Sequence, residues 1–419
     1  MTAARTSRKA LLFIFVTVFI DVVGLGIVIP VWPKLISELA NVGLSEAARY
    51  GGWLFFVYAG MQFLCAPVIG NLSDRFGRRP VLIYALVSVG IDYLIMGLAP
   101  TIGWLFVGRV LSGMSGASYT TATAYIADVS PPEKRAANFG LVGAAFGLGF
   151  IIGPGLGGIL SLYDVRLPFF LSAGLALANA LFGFFVLKES WPKERRRKFE
   201  WWRANPLGSL MALRRFPFVF GLCGVLVFMR FAHDANPATW TYFTMLRFHW
   251  NPAEVSYSLM AIGAVTAVAY GGLTRLIIPR IGEVCAVYVG LASGAIGFAG
   301  FAFSTAGWQM YAWMSMFALM ALAMPALNAI MSKEVDASEQ GELQGAIASI
   351  GSLTSIFAPL VMSYLFAYFT STRTPVYFPG ASFLAAGACL ALAALAFSMV
   401  KPHAINAPAG PDDAAERQT

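Results

Sequence analysis

The chain has 419 residues, 58% hydrophobic and only 12% charged, against roughly 25% charged in an average soluble protein. So few charges exclude a water-soluble globular surface. The formal charge of +8 raises the question of an acidic partner, which the placement of the charges answers below.

Apolar runs of roughly 20 residues, each able to cross about 30 Å of hydrocarbon, recur along the whole length. They predict twelve helices, at 11–32, 50–71, 80–99, 103–126, 138–161, 167–187, 217–243, 254–277, 284–304, 307–331, 343–369 and 377–400. The first follows ARTSRKA, is too long for a signal-peptide core and has no small-residue cleavage site after it, so it is expected to stay as a membrane helix. Halfway along it stands Asp21, in FIDVVGLGIVIPVWP. Charge at the centre of a membrane helix costs at least about 2.5–3.5 kcal/mol, so such residues are functional candidates. For Asp21 two readings compete, a proton- or substrate-binding carboxylate and a structural partner to a neighbouring helix.

The second helix carries Gln62 and ends in GNLSDRFGRRP, residues 70 to 80, the densest polar island in the chain. It is expected as a loop that latches a gate. Gly70 and Gly77 allow close packing and a tight turn. Asp74 bonds a neighbouring helix end among Arg75, Arg78 and Arg79, and Pro80 starts the third helix. Asp92 lies past the middle of the third helix, Arg109 in the fourth, and Asp128 at the end of the fourth, beside the gate. Arg109 suits either coupling or bundle locking through backbone carbonyls.

The fifth helix contains GLGFIIGPGLGGIL. Gly149, Gly153 and Gly157 repeat every four residues on one face and permit close backbone approach. Pro154 bends the helix, and Gly158 follows. A tight helix contact without a coupling role is the plainer alternative.

Residues 188–216, KESWPKERRRKFEWWRANPLGSLMALRRF, form the long basic interval between six helices and six, a membrane-surface linker held by Trp and Arg at the headgroups. Two bundles, 1–187 and 217–400, are expected on either side of it. In the seventh helix Arg230, His233 and Asp234 fall within little more than one turn. Arg230 and Asp234 are spaced to pair along one face, and His233, a residue type used as a proton carrier, sits beside that face. A proton-coupled carrier needs such a group. Gln62, Asn236 and Trp240, Asn328 in the tenth helix and Gln344 in the eleventh are cavity candidates, though polar residues also glue helices together. Tyr119, Tyr125, Tyr242 and Phe146 are more simply packing residues.

Cys65, Cys223, Cys285 and Cys389 lack CxxC spacing and are expected to be small packing residues rather than metal or redox groups. No cofactor or metal is expected. A phosphate loop and a nucleophile–base motif are absent too, which leaves neither an enzyme nor an ATP-driven pump. Most of the 29 Lys and Arg fall in the termini and even-numbered connections, which predicts both termini in the cytoplasm. Spread along one membrane face, they do not form a nucleic-acid patch. Residues 401–419 are expected to be a disordered tail.

The two halves repeat at an offset of 205 residues: Gly77 with Gly282, Arg75 with Arg280, Gly140 with Gly345, Pro154 with Pro359. The expected fold is an all-α polytopic membrane protein of two pseudo-symmetric six-helix bundles, with its site at the midplane between them.

GNLSDRFGRRP resembles the signature between helices 2 and 3 of the major facilitator superfamily. GPGLGG after Gly149 and GRVLSGMSGA around Arg109 resemble the helix 5 and helix 4 motifs of its drug/proton antiporters. FIDVVGLGIVIPVWP, IDYLIMGLAP, TAYIADVSPPEKRA and MPALNAIMS are similar to tetracycline efflux pumps. The resemblance implies a proton-coupled exporter of a small amphipathic compound in a bacterial-type inner membrane, a functional monomer exchanging substrate for protons. Those pumps carry an acid midway along helix 9 and a histidine in helix 8. Here the matching position is Gly294, and AIGAVTAVAYGGL has no ionisable group. The alternative is a symporter importing a small metabolite or organic anion, with Arg230 meeting a carboxylate or phosphate.

Overall fold

The computed structural model describes residues 8–116, 125–126, 130, 135–187, 189–191, 194, 196, 217–335, 339–372 and 374–400. Within them the regular structure is helical throughout, with no strand. The first half runs α1 (Arg8–Val28), α2 (Trp32–Ala40), α3 (Leu44–Phe76), α4 (Arg78–Leu98), α5 (Ile102–Ser115), α6 (Arg135–Leu160) and α7 (Leu167–Val186). The second runs α8 (Pro217–Phe248), α9 (Pro252–Val268), a π-turn (Ala269–Leu273), α10 (Thr274–Ile281), α11 (Glu283–Phe303), α12 (Gly307–Ala318), a 3₁₀ turn (Leu319–Leu322), α13 (Ala323–Lys333), α14 (Gln340–Thr370) and α15 (Ala381–Met399).

Among the described residues, each of the twelve predicted segments falls on a helical stretch. Among the described residues nine spans are long and apolar enough to cross a membrane, or ten if α1 and α2, bent by 51°, are taken as one. Boundaries moved on both sides of the polar island. Predicted as a loop, Gly70–Phe76 is the last turns of α3 and Arg78 already opens α4. The whole connection is Gly77, at φ +105°. Its counterpart Gly282, between α10 and α11, has φ +78° and nearly the same ψ. A residue without Cβ is what such a backbone favours. The repeat seen in sequence is therefore a repeated one-residue joint, and Pro154 and Pro359 likewise sit inside α6 and α14.

Local chemistry sets other ends. Asn251 caps α9, accepting from the N–H groups of Ala253 and Glu254 at 2.9 and 3.0 Å, while Glu254 returns to the Asn251 N–H at 2.8 Å. Such a capping box is worth about 1 kcal/mol. Asn41 closes α2 in the left-handed conformation, φ 52°, one of the few non-glycine residues that tolerates it.

Inside the first half, α1 lies against α6 and α7. Asn179 bonds Thr17, and the Ser172 hydroxyl donates to the Gly24 carbonyl at 3.0 Å. Interhelical bonds of this kind contribute about 0.6 kcal/mol each in a membrane. The second half packs around Trp240, Phe243, Phe298, Phe301 and Phe383, which meet edge to face and stacked at 5.0–6.2 Å.

The halves touch chiefly along two lines, α3 with α14 and α6 with α9, and α3 also meets α8, where Tyr242 lies over Gly51. Their contacts gather at one face of the membrane, opposite the start of α1 and the end of α15. There the Ser45 hydroxyl donates to the Thr370 carbonyl at 3.1 Å, Trp53 Nε1 reaches the Tyr364 hydroxyl at 3.4 Å, and the Phe56 and Phe357 rings lie 5.8 Å apart. Towards the terminal face the same helices part. A Cβ added at Gly60, Gly70, Gly140, Gly143, Gly147, Gly271 or Gly272 would meet nothing within 4 Å. The molecule is closed on one face and open on the other.

Candidate functional site

Asp92 and Arg109 stand on neighbouring helices, α4 and α5, and form an ion pair. The Asp92 side chain is 1% exposed and that of Arg109 15%. The arginine has further neighbours, although its Nε is buried without a hydrogen-bond partner among the described residues. It bonds Met96 Sδ at 3.5 Å, and the rings of Trp32 and Tyr58 lie 5.3 Å from its guanidinium carbon. A Cβ at Gly108 would run into Asp92 Oδ1, so that glycine makes room for the carboxylate. Asp21, half-buried on α1, acts electrostatically on Tyr58 and Tyr93, as do Asp92 and Arg109. Three charges from three helices thus share one aromatic-lined region of the first half.

The second half holds a separate centre. The expected Arg230–Asp234 pair is not formed. Asp234 Oδ2 accepts instead from the Ser355 hydroxyl of α14 at 2.9 Å, and Oδ1 lies 3.3 Å from His233 Nδ1. The reason is what stands opposite each turn of α8: Ser355 faces Asp234, whereas Arg230 lies over Gly351, whose added Cβ would come 3.4 Å from its Nε. His233 is largely exposed.

The uncharged candidates divide. Gln62 Nε2 donates to the Gly116 carbonyl at 2.9 Å, fastening α3 to the end of α5. Asn236 is half-buried and Gln344 exposed. The Asn328 Oδ1 atom is buried without a hydrogen-bond partner among the described residues. Trp240 is not a cavity residue: it is 1% exposed in the aromatic core and donates from Nε1 to Ser258 at 2.9 Å. Its polar edge is satisfied within the bundle, which removes any reason to face the cavity. Tyr242 packs on Phe366 and over Gly51, and Phe146 stacks on Phe150. Tyr119 and Asp128 lie outside the described residues, as does most of the predicted linker and the tail.

The polar island is folded back on its own half. Asp74, in the last turn of α3, pairs at 2.7 Å with Arg78, the first residue of α4. Arg78 also donates to Ser73 Oγ at 3.0 Å and lies 4.9 Å from the Trp191 ring. Its backbone N–H donates at 2.8 Å to Glu189, which stands 3.8 Å from Arg196. Arg79 donates to the Phe184 carbonyl at 2.5 Å, and Arg75 lies over Phe76. Gly70, expected to permit close packing, faces open space because the halves part there; Gly77 is the close approach, packed on Glu189.

The glycine motif of α6 has two faces. Added Cβ atoms at Gly149 and Gly153 would come 2.8 Å from Val22 Cβ and 2.7 Å from the Val23 carbonyl, and one at Gly157 3.0 Å from Ile27 Cα. All three belong to α1, inside the same half. Gly155 and Gly158 instead meet Met260 Sδ at 3.0 Å and Ala253 Cα at 3.1 Å, on α9 of the other half. Pro154 packs on Gly26. Among the described residues no three His, Cys, Asp or Glu side chains gather as a metal site.

Two helical halves meeting through glycine faces, with charge pairs held inside each, have a counterpart among known proteins. Residues 14–359 match the model of the Major Facilitator Superfamily. The chain belongs to that family. As a member it is a multi-pass membrane transporter of small molecules and not an enzyme. It is 40% identical over 370 residues to the class C tetracycline resistance protein of Escherichia coli, covering 87% of this chain and 92% of that one. Over 371 residues it is 29% identical to multidrug resistance protein 2 of Bacillus subtilis, covering 87% and 91%. The crystal structure of the human organic anion transporter MFSD10 superposes with a TM-score of 0.67 at 22% identity, covering 93% of this chain and 99% of that one, a likeness of fold.

In this family member, sequence reasoning missed Trp32, Tyr58, Gly108, Glu189 and Ser355. Tyr58 precedes Gln62 by four residues on one helix face, a signal that was present. The others are defined only by what lies opposite them. Gly294, where related pumps were expected to carry an acid, is buried, with an added Cβ 2.7 Å from Leu390 Cδ1 and 3.1 Å from Met320.

Proposed function

We propose that this transporter is a proton-driven antiporter that exports a small amphipathic compound, of the tetracycline class, by alternating access. The supporting observation is the pairing of a sealed face and an open face with buried carboxylates at mid-helix in both halves. A carboxylate held between helices that move apart meets water from one side at a time, which is what proton exchange requires. Asp21 and Asp234 carry protons in this reading. Arg109 pairs with Asp92 and ties α4 to α5. The open face is cytoplasmic, the termini lie there, and the monomer is the working unit, embedded in a bacterial inner membrane. The resistance proteins among its relatives favour export.

Inverted membrane vesicles energised acid-inside should accumulate tetracycline, and nigericin, which collapses the pH gradient, should release it. Asp21→Asn should abolish the gradient-dependent part. Unchanged proton-dependent uptake in Asp21→Asn removes Asp21 from coupling, and uptake confined to right-side-out vesicles establishes the importing alternative.

A further inference from the structure

Arg109 in α5 and Arg230 midway along α8 lie within membrane helices, and they are treated differently. Arg109 has a carboxylate, a thioether and two aromatic rings around it. Arg230, in α8, has no hydrogen bond or ion pair among the described residues, although it is half-buried. Its natural partner one turn away, Asp234, is occupied by Ser355 and His233. A guanidinium carries five N–H donors in a planar fork, and none of those of Arg230 meets an acceptor among the described residues.

The neighbours of Arg230 place it. On one side is Gly351 of α14, where the missing side chain leaves the guanidinium uncovered. Tyr270 of the π-turn, half-exposed, is within electrostatic reach of Arg230. α14 and the α9 span that leads into the π-turn are the elements through which this half meets the other. The face of α8 turned towards both is therefore the inner face. Gly271 and Gly272 leave that stretch open, and π-turns inside α-helices recur at functional sites.

We propose that Arg230 is an anion subsite of the transport cavity and selects amphipathic solutes bearing a carboxylate, enolate or sulfonate. Resting on the transporter reading above, this names the charge of its substrate. The guanidinium takes the anion through two parallel N–H···O bonds, and Tyr270 supplies a ring face beside it. Asp234, His233 and Tyr270 are the titratable groups facing it, and the engagement of Asp234 keeps the cation available.

The test uses purified full-length protein in maltoside micelles and two probes with the same rings, 2-naphthoate and uncharged 2-naphthalenemethanol. Apparent affinities come from ligand-dependent thermal stabilisation. Naphthoate should bind the wild type about tenfold or more tightly than the alcohol, the range expected for hydrogen bonds to a charged group. Arg230→Gln should erase the preference while still binding the alcohol, which also reports that it is folded; Arg230→Lys should keep part of it. Equal binding of both probes, no binding of naphthoate, or a preference that survives in Arg230→Gln overturns the assignment. None of these outcomes depends on a proton gradient, so failure of vesicle transport counts against the antiport reading alone.

Discussion

Gly157 and Gly158 are adjacent in α6 and should behave oppositely when a methyl group is added. At Gly157 the new Cβ runs into the Ile27 backbone, 2.8 Å from its carbonyl carbon, inside one half. At Gly158 it meets Ser256 Oγ and, at 3.1 Å, the Ala253 Cα, across the closed face. Overpacking of this kind costs about 1–3 kcal/mol. For Gly157→Ala the cost applies in every state, because α1 and α6 move together, so stability falls and the conformational balance stays. For Gly158→Ala the cost applies only while the face is closed. A penalty of about 1–3 kcal/mol on one of two states changes their ratio about 5- to 150-fold. Electron–electron distance measurements read this directly. With the four native cysteines replaced, spin labels at Leu162→Cys and Trp308→Cys, exposed positions on the closed face of the two halves, should give one short distance. Gly158→Ala should add a longer one, and Gly157→Ala should not while lowering the melting temperature. A distribution unchanged by Gly158→Ala, with Gly157→Ala widening it, refutes the two-face reading of the glycine motif.

Other outcomes follow from the same contacts. Arg109→Met leaves Asp92 buried and unpaired and should cost about 3–5 kcal/mol, read as loss of monodisperse protein in size-exclusion chromatography; the double variant with Asp92→Asn should recover much of it. Gly77→Ala forces a side chain into a left-handed backbone against Glu189, whereas Gly282→Ala meets the strain alone. The first should therefore lower thermal stability clearly more than the second, whose cost is of order 1–3 kcal/mol. Asp74→Asn removes a pair in which the Asp74 side chain is itself 40% exposed, worth about 0.2–1 kcal/mol. Folding and substrate binding should stay near normal while turnover slows, and loss of binding in folded protein would count against a gating role.

Local regularities carried much of the fold. A run of apolar residues must find hydrocarbon wherever it occurs, so the helices were legible from composition, and the repeat from Gly77 and Gly282, since a left-handed joint requires a particular residue. The polar island shows the limit of that reasoning. Its charges suggested a loop, but helix geometry continues through Phe76 because Asp74 and Arg78 satisfy each other across the joint at Gly77 and Glu189, far along the chain, caps the next helix. The same limit explains Arg230 and Asp234. Their spacing permits a pair, and periodicity along α8 contains no information about the Ser355 hydroxyl that competes for the carboxylate.

Sequence by itself determined that this is a membrane transporter of two related halves, because hydrophobic length, glycine geometry and the rarity of intramembrane charge act locally. Tertiary structure decided which charge meets which. It paired Asp92 with Arg109 across two helices, drew Trp240 into the aromatic core, turned Gly158 towards the other half, and left Arg230 uncovered. An ion pair in a low-dielectric interior depends on distances of a few ångströms between separate helices, and those are set by packing.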